Sequence, residues 1–550
     1  MGRHNRDWRN DSRYPSLACE LRNGFHRAQN GRNHGRGSEG KMLRKALSIT
    51  VLALAAALPV SGTATELRVG FTTDALTLDP GNHRNRDTET IIRNLYDGLL
   101  TRNSKMNIVP ELAESWKQVD PVTYDFTLRS GVTFHDGSLM TADDVVFTFQ
   151  RLTLEGALDG KTSPRKDLVG PVKSITKVDD RTVRFTLKEP WPILPAMLPV
   201  QEVVSKAFTE KAGPQGLATQ ANGTGPFKLV EWRKGDTVIM ERHDSYYGGA
   251  TDIPPVGKAC VERVIFRVIP ENASRVAALL AGEVDIINEL PPYDMKKVEA
   301  NGKTRVMKVN GTRTFFVALN TSKKPFDDLR VRKAANMAVD RALIIDRVLL
   351  GTAVPLNGVM SPDAFGFNSD LPAYQFDVAA AKKLLAEAGY PDGVDVTLDA
   401  EGPFKDVVGA IAGMLSKAGI RAKVNISETS TLQAKWAPAG EKTGDMMFTS
   451  WGNGSLDPSD IFVPTLRTGG RGNRAFYSNK EVDALLDSAD VELDQTKRAN
   501  LYKKAQTIVN GEAPWIFMWL PQDIYGVSKR VSGWEPSADS RINLHDVCVK

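Results

Sequence analysis

Cysteine and histidine are scarce in this chain, whose 550 residues include three cysteines and seven histidines. One of the cysteines and three of the histidines fall within residues 1–41, and the other four histidines are widely separated. A cage around a bare soft metal ion needs several such ligands close together. We therefore predict no metal site, although a metal chelate bound through its organic part stays open as a ligand.

The sequence also lacks the short motifs of secreted hydrolases, the competing class for an exported protein of this size. It has no G-x-S-x-G, no H-E-x-x-H and no Ser-x-x-Lys joined to a partner motif. His135, within an FHDG turn, is better explained as a structural residue than as a ligand. We expect no catalytic residues, no cofactor and no enzyme activity.

Long apolar runs are absent except for Ala46 to Leu58. This run follows a basic start at Met42 and precedes a small-residue cleavage site, Gly62-Thr-Ala64, which is the order of a secretory signal peptide. Its thirteen residues fall short of the roughly 20 needed to cross a bilayer, so we favour a signal over a membrane span. No cysteine follows Ala64 directly, which predicts a soluble periplasmic protein without a lipid anchor.

Residues 1–41 are rich in Arg, Asn and Gly and show no periodicity. We interpret them as a non-native or disordered extension in front of a signal peptide at 42–64. Residues 1–64 hold eleven Lys or Arg against four acidic residues, so the formal net charge of +5 leaves −2 for the remainder. A mildly acidic body does not attract phosphates, and we predict no nucleic-acid partner.

A length of 550 residues is too long for one core and predicts two or three domains. The segment Cys260 to Asn288 contains a buried strand that ends at Pro270, a helix from Ala273 to Ala281 stopped by Gly282, and a second strand. We interpret this strand–helix–strand unit as the crossover between two lobes with a cleft between them.

The chain after the crossover has an α/β pattern. Phe315 to Asn320 is predicted as a buried strand, Leu329 to Leu350 as the longest helix, and residues 394–426 as a βαβ unit with a largely parallel sheet. Ser478-x-x-Glu481 is predicted as a capping box, and Trp515 to Leu520 as a buried strand.

The turn Asn222 to Phe227 has the sequence NGTGPF, whose glycines suggest a phosphate loop. No Gly-Lys-Ser/Thr follows, and the turn leads into a strand and not into a helix N-terminus, so this interpretation fails.

Several motifs in fixed order resemble one family. They are TLDP at Thr77, NLYDGLL at Asn94, PELAESW at Pro110, TLRSGVTFHDGSLMTADDVVFTFQR at Thr127, GTGPFKLVEW at Gly223, AALLAGEVDII at Ala277, PFDDLRVRKAANMAVDRALI at Pro325 and VDALLDSA at Val482. The chain resembles the family 5 extracellular solute-binding proteins, the exported receptors of ATP-binding-cassette (ABC) importers for peptides, nickel chelates, glutathione, opines and some sugars. The resemblance covers most of Leu67 to Asp546.

The resemblance implies an α/β, class II, two-lobe periplasmic binding protein in three parts. Lobe I would comprise 66–93, 190–267 and 520–550, subdomain II 94–189, and lobe III 268–519. Closure of the lobes about Arg267–Glu271 and Leu520–Tyr525 would enclose the solute. We expect a monomer that delivers a peptide or peptide-like compound to the permease and ATPase subunits of an importer. An opine, a sugar conjugate, glutathione or a metal chelate is the alternative ligand.

The resemblance also points to the loop Ser450 to Asp460, SWGNGSLDPSD, as part of the ligand site. Peptide receptors of the family bind the ligand's α-ammonium through an aspartate shortly before an Asp-Pro, and Gly454 takes that place here. The candidate ligand-binding residues are Trp451, Asn453, Gly454, Ser455, Asp457 and Asp460. Trp451 can stack on a ligand, Asp460 is the nearest replacement carboxylate, and Asp457 can instead close an Asx-type turn.

Cys260 and Cys548 are the cysteines left after signal cleavage, an even pair in an oxidising compartment. The C-terminal tail is expected to return to the lobe that contains Cys260, so we predict a disulfide between them.

Mass spectrometry of the secreted protein is expected to find Thr65 as the first residue, because the signal sequence ends in a small-residue site at Ala64. A first residue at Met1 or Met42, or a lipid-modified N-terminus, would contradict this prediction.

Overall fold

The computed structural model describes residues 65–103, 105–249, 257–437 and 443–550. The predicted extension and signal peptide lie outside the described residues. Residues 63–550 form one compact unit. Within the described ranges, no helix is both long and apolar enough to cross a membrane.

The fold mixes helices and strands along the whole described chain. The strands are β1 (Glu66–Phe71), β2 (Leu100–Arg102), β3 (Ile108–Pro110), β4 (Ala113–Asp120), β5 (Thr123–Leu128), β6 (Val172–Lys177), β7 (Thr182–Leu187), β8 (Phe227–Arg233), β9 (Thr237–Arg242), β10 (Arg263–Val268), β11 (Ile286–Ile287), β12 (Thr304–Asn310), β13 (Arg313–Leu319), β14 (Ala353–Pro355), β15 (Val394–Glu401), β16 (Ile420–Ser427), β17 (Met446–Gly452), β18 (Trp515–Ser528), β19 (Val531–Ser532) and β20 (Cys548–Val549). The helices are α1 (Arg86–Ile92), α2 (Ala142–Thr153), α3 (Lys166–Val169), α4 (Leu194–Met197), α5 (Lys206–Thr219), α6 (Asn272–Ala281), α7 (Met295–Ala300), α8 (Leu329–Met337), α9 (Arg341–Arg347), α10 (Val378–Glu387), α11 (Lys405–Lys417), α12 (Thr429–Lys435), α13 (Ser459–Thr465), α14 (Lys480–Val491) and α15 (Gln495–Glu512).

The main sheet has two halves that meet at β18. Its strand order is β16-β15-β17-β13-β18-β11-β1-β10-β9-β8, and β12 and β14 also pair with β18. The first half of β18 pairs with β13 and β14, and its second half pairs with β11 and β12. We call the part around β1 the first sheet half and the part around β13 the second sheet half.

Each sheet half is covered on both faces by apolar side chains. In the second half, successive residues of β13 alternate between two cores: Val317 belongs to the core formed with α8, α10 and α11, whereas Phe316 belongs to the core formed with α13, α14 and α15. This alternation follows from the period of two along a strand. A separate antiparallel sheet, β4-β5-β7-β6, has its own core with α2.

The predicted crossover at Cys260 to Asn288 is wrong in its topology. The strand, the helix and the stop at Gly282, with φ of 78°, are confirmed. However, β10 and β11 flank β1 in the same sheet half, both parallel to it. The helix therefore returns the chain to the sheet it left, because a βαβ unit needs no second sheet to receive its second strand. The chain passes to the second half at Gly311 and Thr312, between β12 and β13.

The predicted helix Leu329 to Leu350 is also wrong. The chain forms α8 and α9 separately, because the Asp340 carboxylate accepts a hydrogen bond from the Leu343 N–H and caps a new helix. The longest helix of the described chain is α15, with 18 residues. Asn479, and not Ser478, caps α14 by accepting hydrogen bonds from Glu481 and Val482 N–H.

The βαβ unit at 394–426 is confirmed, since β15 and β16 are parallel and joined by α11. Trp515 to Leu520 forms the first part of β18, which continues to Ser528.

The glycines of the NGTGPF turn allow a close approach of two backbones. A Cβ at Gly223 would lie 2.0 Å from the Leu95 carbonyl oxygen, and one at Gly225 would lie 2.8 Å from the same oxygen. The Gly223 N–H donates to His135 Nδ1 at 3.3 Å, and His135 Nε2 lies 3.1 Å from the Gly225 carbonyl oxygen. Both His135 nitrogens therefore bind this turn, as expected of a structural residue.

The disulfide between Cys260 and Cys548 is present, with 5.1 Å between the two Cα atoms. This distance is in the range that disulfide geometry requires. Cys548 starts β20, which pairs with β19 just after β18. The disulfide therefore ties the C-terminal tail to the segment before β10.

Replacing both cysteines, Cys260→Ser with Cys548→Ser, is expected to lower the free energy of unfolding. The closed loop spans 288 residues, for which chain entropy gives a stabilisation of about 4–5 kcal/mol, less whatever structure the unfolded chain retains. Urea denaturation checks this, and reduced wild-type protein is the matched control. Equal midpoints for oxidised wild type and the double variant would contradict the prediction.

Candidate functional site

A cavity of about 490 Å³ lies where the parts of the chain meet. Its lining comes from the segment before and within α1, from the subdomain, from the second sheet half and from the C-terminal tail. The lining residues are Arg84, Asn85, Arg86, Glu89, Arg102, Arg165, Leu168, Ala196, Met197, Val200, Arg313, Ser450, Trp451, Gly452, Gly454, Ser455, Asp460, Arg471 and Arg541. Ligand sites in open α/β sheets lie beyond the carboxyl ends of parallel strands, and β17, which ends at Gly452, is parallel to β15.

Trp451, Gly454, Ser455 and Asp460 of the predicted loop line this cavity. Trp451 is half-buried, and its Nε1 donates to the Asp460 carbonyl oxygen at 2.8 Å. Its ring also packs against Gly472, where a Cβ would lie 2.4 Å from the ring. The indole is thus fixed in position at the cavity.

Gly454 is exposed and leaves open space, because nothing lies within 4 Å of a Cβ built there. A side chain at this position would therefore fit and would extend from the lining of the cavity.

The carboxylate of Asp460 lines the cavity but is already engaged. Its Oδ2 accepts hydrogen bonds from the Ser455 hydroxyl at 3.0 Å and from the Ser455 N–H at 3.4 Å. Burial raises the pKa of Asp460, and these hydrogen bonds act in the opposite direction. The Asp460 carboxylate therefore lines the cavity, but Ser455 uses part of its hydrogen-bonding capacity.

Asn453 and Asp457, the other predicted residues of the loop, are buried and do not line this cavity. The Asp457 Oδ1 accepts from the Ser459 N–H at 3.0 Å, which is the Asx-type turn. Both carboxylate oxygens of Asp457 also accept from Arg498, each at 2.7 Å. The pair is almost fully buried and anchors the loop to α15.

A second cavity of about 400 Å³ adjoins the first and shares Arg313, Ser450 and Trp451 with it. Four phenylalanines form much of its apolar wall, and Glu401, at the end of β15, contributes a carboxylate. The complete lining is Arg313, Phe315, Phe316, Glu401, Phe404, Gln433, Met447, Phe448, Thr449, Ser450, Trp451, Gly472 and Arg474.

Sequence reasoning did not find the arginines of these cavities or Glu401. Seven arginines but only two carboxylate side chains line the first cavity. These arginines are scattered from position 84 to position 541, and no local pattern marks them. The register of β13 with β17, which places Arg313 opposite Gly452, brings one of them to the predicted loop.

Among residues 65–103, 105–249, 257–437 and 443–550, no group of three or more His, Cys, Asp or Glu is placed to hold a metal ion.

A family model described as "Bacterial extracellular solute-binding proteins, family 5 Middle" matches residues 107–473, which is more than half of the chain. The chain belongs to the family 5 extracellular solute-binding proteins. This family membership and the two-lobe, class II fold agree with what the sequence motifs predicted. The family consists of solute-binding proteins, which serve ABC importers.

Two relatives of this solute-binding protein illustrate the range of the family. It is 32% identical to heme-binding protein A of Haemophilus influenzae over 465 residues, covering 79% of this chain and 83% of the relative. It is 28% identical to the glutathione-binding protein GsiB of Pectobacterium atrosepticum, covering 85% of this chain and 91% of the relative.

Solved structures show the same fold. HbpA2 from Haemophilus parasuis matches with a TM-score of 0.81 and 26% identity, covering 88% of this chain and all of that one. DppA from Helicobacter pylori, solved in complex with the peptide STSA, matches with a TM-score of 0.68 and 27% identity, covering 88% of this chain and 98% of that one.

Breaking the buried Asp457–Arg498 pair is expected to destabilise the protein. Asp457→Ala leaves the Arg498 guanidinium buried without its partner, which costs about 3–5 kcal/mol. The double variant Asp457→Ala with Arg498→Met removes the unpaired charge and is expected to lose less stability. Urea denaturation measures both.

The exposed pair Asp395–Arg421 provides the control, since Asp395→Asn is expected to change the unfolding midpoint little. An Asp457→Ala variant as stable as this control would contradict the anchoring role of Asp457.

Proposed function

We propose that this protein captures a peptide or peptide-like solute in the cavity at the 450–460 loop and delivers it to an ABC importer. The observation that carries the proposal is the cavity of about 490 Å³, which is lined by the segment around α1, the subdomain, the second sheet half and the C-terminal tail and contains the loop to which the family resemblance pointed. Concave sites of this size, with a few polar groups around apolar surface, are typical of small-molecule binding.

Closure would occur where the two sheet halves connect, and not at Arg267–Glu271 as predicted, because β10 and β11 flank β1 in one sheet half. The chain crosses between them at Gly311 and Thr312 and within β18. These two connections lie side by side, because the Gly311 N–H donates to the Pro521 carbonyl oxygen at 2.9 Å. Two adjacent backbone connections form a hinge, and a bound solute that contacts both halves favours the closed state.

The ligand class rests on the relatives and on Gly454. Heme-binding protein A, the glutathione-binding protein GsiB and DppA, which was solved with a bound peptide, are all similar to this chain. An aspartate that would bind a peptide α-ammonium is replaced by Gly454, so we propose a peptide-like solute whose capture does not depend on that contact. An opine, a sugar conjugate, glutathione or a metal chelate fits the same description.

The proposal includes the cellular setting predicted from the sequence. The protein would be exported by residues 42–64, work in the periplasm as a monomer without enzyme activity, and dock in its closed form on the permease of an importer. Lobe I, subdomain II and lobe III would keep the predicted bounds with one exception. The strands β11 and β12, predicted in lobe III, pair with β1 and with the second half of β18, so they would belong to lobe I.

Native mass spectrometry of the purified protein, followed by denaturation, tests the receptor function through released solute. A thermal-shift screen supplements it, since a ligand at 100 times its dissociation constant adds about 2.7 kcal/mol of stability. Absence of any released solute, together with no stabilisation by peptides, glutathione or opines, would contradict the proposal.

Gly454→Asp is expected to strengthen the binding of unmodified tripeptides by about tenfold or more. The new carboxylate enters open space at the cavity, and a charge-assisted hydrogen bond contributes about 1.5–3 kcal/mol. Gly454→Asn is the matched control, because it adds the same volume without the charge. Isothermal titration calorimetry measures the affinities.

Acetylation of the peptide N-terminus is expected to abolish the gain in affinity that Gly454→Asp produces. If wild-type protein already binds unmodified peptides tightly and loses them on acetylation, Gly454 does not disable ammonium recognition.

A further inference from the structure

The first cavity is strongly basic within a protein body that is mildly acidic. Seven of its lining residues are arginines, whereas Glu89 and Asp460 are the acidic side chains in its lining. Whether these arginines call for an anionic ligand depends on which of them the protein already neutralises.

Two of the arginines have carboxylate partners. Arg165 forms ion pairs with Glu89 and, at 3.3 Å, with Glu202, and all three side chains are almost fully buried. Arg541 is paired with Asp539. These arginines need no ligand to balance their charge.

A third arginine, Arg102, is held by backbone carbonyls. Its guanidinium donates to the carbonyl oxygens of Met106 at 2.9 Å, Ala196 at 3.1 Å and Ser455. Burial lowers the pKa of Arg102 to about 10, which leaves it charged at neutral pH. Arg102 therefore joins the subdomain to the predicted loop, with most of its donors already used.

Arg86 and Arg313 form a like-charged pair at the junction of the two sheet halves. Arg86 donates to the Ser540 hydroxyl at 2.7 Å and to the Thr312 hydroxyl at 3.5 Å, which places it beside the residue preceding Arg313. Arg313 donates to the Ser450 hydroxyl at 3.2 Å. Burial and then the nearby Arg86 charge lower the pKa of Arg313. Each guanidinium is thus oriented by neutral oxygens and repelled by the other.

Arg471 and Arg474 form a second like-charged pair on the other side of Trp451. The Arg471 guanidinium lies over the Trp451 ring, 4.9 Å from its centroid. Arg474 donates to the Trp436 carbonyl oxygen at 2.6 Å and lines the adjoining cavity. Burial and then the Arg471 charge lower the pKa of Arg474. In the described ranges, these four arginines have no carboxylate within 4.0 Å, and the acidic groups nearest to act on them are Asp460 and Asp523. Burial raises the pKa of both carboxyl groups, and the Arg471 charge acts to lower that of Asp460, as the Arg86 charge does for Asp523.

We propose that the solute carries at least two carboxylate groups, an inference that rests on the proposed function. One carboxylate would bind between Arg86 and Arg313, and the other at Arg471 and Arg474. Guanidinium groups bind carboxylates in bidentate geometry, and each carboxylate would relieve the repulsion within one pair. A neutral peptide supplies a single carboxylate, at its C-terminus. Because Arg86 lies in α1 and Arg313 in β13 of the second sheet half, the carboxylate between them would also join these two parts of the chain in the closed state.

Matched tripeptides test the charge requirement by isothermal titration calorimetry on the purified protein. Triglutamate is expected to bind at least about tenfold more tightly than trialanine, and trilysine is expected to show no binding. Raising the salt concentration is expected to reduce the difference in affinity between triglutamate and trialanine, since exposed charges are screened over about 10 Å at 0.1 M. A tripeptide with a central phosphoserine between alanines separates phosphate from carboxylate recognition, and tighter binding of it than of triglutamate would overturn the carboxylate assignment.

Single arginine substitutions test which residues bind the carboxylates. Arg313→Gln and Arg471→Gln are each expected to weaken triglutamate binding by about tenfold. Trialanine has one carboxylate and occupies one arginine pair, so at least one of the two variants is expected to leave its binding unchanged. Both side chains are exposed, so the fold is expected to persist, and circular dichroism checks this. Arg347→Gln, on the exposed surface of α9 and outside the cavities, is the matched control and is expected to bind like wild type.

Equal affinity for trialanine and triglutamate, or recovery of a co-purified solute with fewer than two carboxylates, would overturn the inference and leave the receptor function standing. If no peptide binds and no solute co-purifies, the receptor function itself fails. A co-purified dicarboxylate whose release is accelerated by Arg313→Gln would support both.

Discussion

The continuity of β18 is the constraint on which the rest of this structure depends. One strand of 14 residues supplies hydrogen-bonding partners to both sheet halves, so each half depends on it for part of its strand pairing. Its first part, Trp515 to Leu520, is fully buried between the two cores of the second half, and its last part carries Tyr525 and Val527 into the core around β1. In the part of the chain that the structure describes, the backbone crosses between the halves at Gly311 and Thr312 and within β18.

The cavity follows from that arrangement. The second sheet half presents the end of β17 and the start of β13 to the gap, and the first half presents the segment around α1. Buried ion pairs hold two parts of the lining in place. Asp457 and Arg498 anchor the 450–460 loop to α15, and Arg165 and Glu89 connect the subdomain to α1. Apart from Glu89 and Asp460, the charged side chains that line the cavity are arginines.

Much of the fold was predictable from local pattern. The strand at Phe315, the βαβ unit at 394–426 and the stop at Gly282 depend on apolar periodicity and on a left-handed residue after a helix, which neighbouring residues alone specify. The boundary within Leu329 to Leu350 was missed because apolar spacing continued across Asp340, whose capping role depends on the backbone turning there. The crossover was misassigned because a βαβ pattern does not reveal which sheet receives its second strand.

The sequence by itself determined the family and the Cys260–Cys548 disulfide, because these rest on motifs and on a residue type too rare to be ambiguous, and the resemblance pointed to the 450–460 loop. Only the tertiary structure decided that Asp457 is used internally, that Gly454 faces open space and that Arg86, Arg313, Arg471 and Arg474 converge. The physical reason is that an arginine is an ordinary surface residue wherever it occurs in a sequence. Its charge becomes informative when segments distant along the chain bring seven arginines and only two carboxylate side chains to one cavity.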